Sequence, residues 1–348
     1  GSIAAAEAEG LLAGLGELRL ELARRAAILH ADYVLVHEAL RINAEHADLL
    51  QDLLRVATDR YVAGLASQQD PLHAESELAH RMHDDVVLRT ERAVVASRIN
   101  SLLHRPPDAV LPPPAAEEPA LAESELGVGS ALHGAAQAEV APIGAAEHEQ
   151  EALASRPELR AREASTRARE AELELARLSG RPDFGVMSSY SSMWAEREHR
   201  YMVGGSVSLP IRRSRVRAGI AEAEARLAQA RSERTAMEDE VRREVRESME
   251  RLRESHHVLE LYESRLRPVA RDRVDAALAG FQASKNDFLA LIEAERNLRD
   301  VELGYQRARA GLAREQVELE RALGRGVAAA ETSNETASGR SEASGDEP

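Results

Sequence analysis

Apolar residues recur at three- and four-residue steps along most of this chain, the spacing of helices that bury one stripe and leave the rest wet. From Ile3 to about Leu103 the pattern breaks once, between Arg60 and Pro71. Gly64 stops the first helix and Pro71 fits the first turn of the next, so residues 3–104 are expected to form an antiparallel coiled α-hairpin. Clustered prolines follow (Pro106, Pro107, Pro112, Pro113, Pro114 and Pro119), then Ala, Glu and Gly, so residues 105–150 read as a linker with little regular structure. Residues 151–180 read as helix from near Pro157, with Ser155 as its cap and Gly180-Arg181-Pro182 as its stop.

Over residues 181–211 the period falls to two. Phe184 to Trp194 and Tyr201 to Leu209 read as strands, separated by the polar turn of residues 195–200. Residues 212–325 return to helical spacing. A first helix of about 65 residues, near 100 Å at 1.5 Å per residue, runs from about Ser214 to Leu278 and should bend at Pro268. A turn over 283–287 leads to a last helix that ends at Gly324, and residues 326–348 read as a disordered tail. In the last helix Leu291, Ala294, Leu298, Val301, Tyr305, Ala308, Leu312, Glu315, Leu319 and Ala322 alternate three- and four-residue steps, with only Glu315 polar and charged within an otherwise coiled-coil stripe.

The first hairpin, shifted by 220 positions, falls on the second: Tyr61 on Phe281, Leu72 on Ile292, Leu78 on Leu298, Leu103 on Leu323. Coincidence of turns and ends points to a duplication. The same shift would put a first copy of the strand pair before residue 1, so an upstream helix and a first β-hairpin are expected.

In the strand pair, Phe184, Val186, Tyr190 and Trp194 alternate with Gly185, Met187, Ser189, Ser191 and Met193; Tyr201, Val203, Val207 and Leu209 alternate with Met202, Gly204, Ser206 and Ser208. One face is aromatic and aliphatic, the other small and polar. Strands of this length and alternation suit a barrel wall with lipid on one side and water on the other. Two strands leave open edges that lipid does not tolerate, so the wall must be completed by other strands.

Composition narrows the function. Aromatic residues make up 3% and charged residues 30% of the 348 residues, which suits thin layers of helix rather than a thick core. A net charge of −15 argues against a nucleic-acid partner. No run of about 18 apolar residues offers a transmembrane helix, and no cysteine offers a thiolate site.

The chain resembles TolC-like outer-membrane efflux proteins of the metal- and drug-exporting branch. The matching pieces, in order, are the turn Arg60 to Asp70, the exit Asn100 to Pro107, Arg156-Pro157-Glu158-Leu159-Arg160, Arg181-Pro182-Asp183-Phe184, Ser206 to Ile211, and Phe288 to Arg296. The resemblance implies a mainly α fold: long antiparallel α-hairpins of a periplasmic α-barrel, plus one transmembrane β-hairpin given to an oligomeric β-barrel. It further implies a homotrimer in the bacterial outer membrane with its helices in the periplasm. Such a channel is a passive duct for metal ions or small toxic compounds, served by a periplasmic adaptor and an inner-membrane pump, without catalysis or cofactor. By the same resemblance, Ala63, Gly64, Leu65 and Ser67 form one adaptor-docking tip and Ser284, Lys285 and Asn286 the other. Asp287 is the gate candidate, although Lys285 beside it departs from a purely acidic ring. Lipid-facing positions would be Phe184, Val186, Tyr190, Trp194, Tyr201, Val203, Val207 and Leu209. The alternative is a soluble periplasmic coiled-coil scaffold or adaptor.

Other chemistry is weakly supported. His73, His80 and His83 can share a helix side, but no patterned further ligand joins them, so a solvated face is expected and no metal site is assigned. Adjacent His256 and His257 diverge, as do Glu293 and Glu295. No phosphate loop, nucleophile elbow or metalloprotease helix is present, which argues against an enzyme.

Overall fold

The computed structural model describes residues 1–114, 143–190, 201–208, 212–283 and 285–325. Its elements are α1 (Ser2–Val62), α2 (Gln69–Leu102), α3 (Ile143–Ser155), α4 (Pro157–Leu178), β1 (Asp183–Tyr190), β2 (Tyr201–Ser208), α5 (Arg213–Leu261), a π-helical turn (Tyr262–Leu266), α6 (Arg267–Gln282) and α7 (Phe288–Ala322). They divide into two units: Gly1–Leu18 with Ala152–Arg243, and Arg19–Glu151 with Glu244–Pro348.

Helix ends carry the duplication more plainly than the letters do. α1 and α6 end at Val62 and Gln282, and α2 and α7 end at Leu102 and Ala322; each pair is separated by the expected shift of 220 positions. Their closing backbone bonds match as well. Leu65 N–H donates to Arg60 O and Lys285 N–H to Gly280 O, both at 2.8 Å, while Arg105 donates to Asn100 O and Arg325 to Glu320 O, both at 2.9 Å. These bonds saturate carbonyls that a helix end otherwise leaves bare. Gly64 (φ 70°) supplies the left-handed residue after α1. After α2 and α7 it is supplied by His104 (φ 53°) and Gly324 (φ 75°).

In the second unit each helix meets neighbours on two sides. α2 folds back on α1, where the Asn43 side-chain amide donates to Arg81 O at 3.0 Å, and α7 runs back along α6. α7 also lies against α1: Leu303 packs with Ala39 and Ile42, and Arg24 meets Glu318 at 2.5 Å. The expected stripe on α7 is therefore only part of its buried surface. A second stripe, Leu303, Gln306, Ala310 and Val317, is buried as well, while Val301, Tyr305, Ala308 and Leu312 are only half-buried. A helix in a layer needs two seams; a two-stranded coiled coil needs one. Near the turns all four helices share one core of Leu50, Leu53, Ala57, Ala74, Phe281, Phe288, Leu291 and Ile292. The Phe281 and Phe288 rings lie 5.5 Å apart, and the Arg60 guanidinium sits 4.5 Å over Phe281.

The first unit has a thinner core. Leu173 of α4 packs with Ala223 and Leu227 of α5, flanked by ion pairs such as Arg231–Glu170 at 2.8 Å. Exposed pairs of this kind each contribute about 0–1 kcal/mol, so the apolar seam carries the packing.

Two expectations need correction, and a third gains a mechanism. The C-terminal part of the assigned linker is helical, since α3 begins at Ile143. Its Ala- and Glu-rich sequence is stabilised by ion pairs from Glu149 to Arg246 at 2.5 Å and Glu151 to Arg325 at 2.6 Å, partners a local reading does not supply. Ser155 ends α3 instead of capping α4; the residue at the cap is Arg156, in an extended conformation and without a capping side-chain bond. Pro268 acts through the turn before it. In an α-helix its ring would clash with the carbonyl four residues back, and the wider π turn over Tyr262–Leu266 absorbs that clash. Gly304 of α7 makes room for the widened turn, because a Cβ there would meet the Tyr262 hydroxyl at 2.5 Å. The proline-rich start of the linker is non-helical as expected, anchored by Asn100 donating to Ala109 O at 2.7 Å. Residues 115–142 and the tail beyond Arg325 lie outside the described residues.

Candidate functional site: a two-faced hairpin and two helical tips

β1 and β2 pair antiparallel with Phe184 opposite Val207, Val186 opposite Gly205, Ser188 opposite Val203, and Tyr190 opposite Tyr201. Partners in an antiparallel pair project from the same face. The register therefore gathers Phe184, Val186, Tyr190, Val203 and Val207 on one side, with Ser208, Ser206, Gly204, Met202, Gly185, Met187 and Ser189 on the other. A slip of one residue would have scattered them. Trp194 and Leu209 lie outside the described residues.

Every residue of β1 is exposed. Val186 is 86% and Val203 76% exposed, and Phe184, Tyr190 and Val207 are exposed as well. A soluble hairpin would bury its apolar face against helices of its own chain; here both faces of β1 are bare. No helix among the described residues is long and apolar enough to cross a membrane.

Two turns close the helical hairpins of the second unit. Ala63, Gly64, Leu65 and Ser67 are all exposed, with the Ser67 hydroxyl oxygen accepting from Gln69 N–H at 3.2 Å. Val62 (80%) and Leu65 (71%) expose large side chains there. In the second turn Lys285, Asn286 and Asp287 are exposed, and Ser284 lies outside the described residues. The Asp287 carboxylate caps α7, accepting from Ala290 N–H at 3.0 Å. Capping gives Asp287 a structural task that its sequence neighbourhood, with Phe288 opening the helix, allowed but did not single out. Because the shared core joins all four helices just behind the turns, both tips sit at one end of their unit.

Elsewhere the sequence missed a buried polar cluster. His46, Glu77, Arg81 and Glu295 are at most 8% exposed and line one small cavity with Arg296 and Arg299. Glu77 pairs with Arg296, and Asp84 with Arg299 at 2.5 Å. His46 lies between Glu295 and Glu302, whereas Glu293 is exposed on another side of the helix. The partners lie some 250 residues from His46, so no local motif announces them. His73, His80 and His83 are exposed, and among the described residues no group of three or more His, Cys, Asp or Glu is arranged to hold a metal ion.

The sequence model of the outer membrane efflux protein family matches residues 149–325, more than half of the chain. The chain belongs to that family. Among solved structures it is similar to the outer-membrane channel OprN, with TM-score 0.76 and 20% identity over 93% of this chain and 70% of that one. It is likewise similar to CusC (TM-score 0.77, 18% identity, 93% and 74% covered) and to the open-state MtrE outer membrane channel of Neisseria gonorrhoeae (0.74, 16%, 94% and 71%). No curated protein sequence matches the chain. At these identities the structural likeness speaks to fold: helical hairpins with a small antiparallel strand pair, as in the channels. Membership makes the chain an outer-membrane efflux protein, a channel of the tripartite-pump type, with its strands in the outer membrane and its helices in the periplasm. That removes the soluble-scaffold alternative.

Proposed function

We propose that this chain assembles as a homotrimer into a passive duct that receives metal ions or small toxic compounds from an inner-membrane pump through a periplasmic adaptor. The observation that carries this reading is the bare, one-sided apolar face of the β1–β2 hairpin, which requires both lipid and neighbouring strands to complete a wall. The adaptor is proposed to dock on the two tips, where Val62 and Leu65 offer exposed apolar contacts beside the polar residues Ser67, Lys285 and Asn286. Asp287 is the proposed constriction residue, its negative charge oriented by the capping bond to α7. The net charge of −15 favours cations within an acidic duct.

A photo-crosslinking amino acid placed at Leu65 in cells tests the docking. It is expected to capture a periplasmic adaptor protein, and the same probe at exposed Met82, on the α2 shaft, is not. Equal capture from both positions, or adaptor capture from Met82 alone, would refute docking through the tips.

A further inference from the structure

His46 lies on the face of α1 that meets α7, and Glu295 and Glu302 lie seven residues apart on the facing stripe of α7. Its imidazole is held between them, Nε2 at 3.3 Å from Glu302 Oε2 and Nδ1 at 3.9 Å from Glu295 Oε2. His46 is 8% and Glu295 7% exposed, whereas Glu302 reaches toward solvent at the edge of the site.

Every element around the imidazole brings charge, and most of it is already matched. From α2, Glu77 pairs with Arg296 of α7, and Arg81 lies 3.9 Å from Glu77 and 3.6 Å from Asp84. Arg299 of α7 pairs with Asp84. From α6, Arg271 lies 3.6 Å from Glu302, and Asp275 adds a further negative charge near Glu295. Glu295 Oε2 accepts no hydrogen bond and has His46 Nδ1 as its facing ionisable partner, while Nε and Nη1 of the neighbouring Arg81 likewise find no hydrogen-bond partner.

We propose that His46 is a proton-operated latch between the first-repeat and second-repeat hairpins. With an imidazolium at 46, Glu295 gains a counter-charge against itself and Asp275, while Glu302 is met by Arg271 and the more distant Arg267. With a neutral imidazole, Glu295 is a buried carboxylate without a counter-charge, a state that low-dielectric surroundings penalise heavily. Histidine changes charge between pH 5 and 8, so acid tightens the seam and alkali loosens it. Burial pushes the Glu295 carboxyl up while the nearby His46 opposes the shift, and the His46 hydrogen bond holds Glu302 below the usual carboxylate range; both place the imidazole at the centre of the balance. His46 stands 19 residues before Leu65, roughly 28 Å along α1, so a loosened seam bears directly on the tip. The latch is independent of which adaptor or cargo the channel serves.

The test is amide hydrogen exchange on the full chain in detergent between pH 5.5 and 8.5, corrected for intrinsic rates. Peptides of α1 around His46 and of α7 across 295–302 are expected to lose about tenfold protection as pH rises. His46→Gln is expected to abolish that loss by being unprotected throughout, and His46→Lys to retain the acid-state protection at pH 8.5. A pH profile in His46→Gln equal to that of the wild type overturns the latch, as does a His46→Lys protein that behaves like His46→Gln. Should either variant fail to fold, Glu295→Gln, which removes the carboxylate that the neutral imidazole would leave uncompensated, is expected to flatten the profile, and an unaltered profile there overturns the proposal equally.

Discussion

Val186 and Met187 are neighbours in β1 that sit at one depth on opposite faces, which makes them a matched pair for asking which face meets lipid. Val186 belongs to the fourth of eight register pairs, close to mid-strand, and points with Phe184, Tyr190 and Val203; Met187 belongs to the fifth and points with the serines. Both side chains are exposed, at 86% and 62%, so in water arginine at either position would shift stability by only about 0.5 kcal/mol. In a bilayer the two diverge. Arginine at the midplane of a lipid-facing barrel wall costs about 2–4 kcal/mol, whereas a lumen-facing position is tolerant. At about 1.4 kcal/mol per tenfold, Val186→Arg is expected to lower the folding equilibrium by roughly 30- to 700-fold. Met187→Arg is expected to lower it by less than about tenfold and to alter ion selectivity. The assay is reversible folding of the protein from denaturant into lipid vesicles, read by tryptophan emission. Equal costs at the two positions, or a larger cost at Met187, would refute the assignment of faces and with it the membrane role of the hairpin.

Two further outcomes follow from the helices. Phe288→Ala removes a ring that is 1% exposed and in contact with Phe281 in the four-helix core; it is expected to cost about 3–5 kcal/mol in guanidinium unfolding, and a loss under about 1 kcal/mol would show that this core is not packed as described. Glu21 is held down to about 2 chiefly by its hydrogen bond from Arg24, with Arg25 assisting. A depressed carboxyl adds stability that is complete above its ordinary value near 4.5 and lost as pH falls toward 2, so the thermal midpoint is expected to drop across that window. Arg24→Met is expected to flatten the drop, and an unchanged slope would remove Glu21 from its cause.

Much of this architecture was legible because it is local. Gly64, Pro71, Gly180-Arg181-Pro182 and the 283–287 turn mark helix ends through backbone preferences that act over a few residues. The 220-residue repeat survives in turn and cap positions because those geometries recur even where Ala-rich letters drift; His104 takes the left-handed place that Gly324 fills. The faces of β1 and β2 followed from alternation, since a strand has only two sides. Illegible parts depended on distant partners. α3 looked like linker until Arg246 and Arg325 met its glutamates, and the burial of Leu303 on α7 became apparent only once α1 lay against it.

Taken alone, the sequence determined where the two long hairpins turn and end, that the chain is built twice, and that one strand pair has an apolar and a polar side. Tertiary structure decided which residues share a seam, how the Pro268 clash is absorbed by the π turn against Gly304, and that a lone histidine on α1 stands between two glutamates of α7. The division has one physical cause. Period and turn chemistry are written in consecutive residues, whereas charge compensation and burial are properties of whatever the fold brings within a few ångströms.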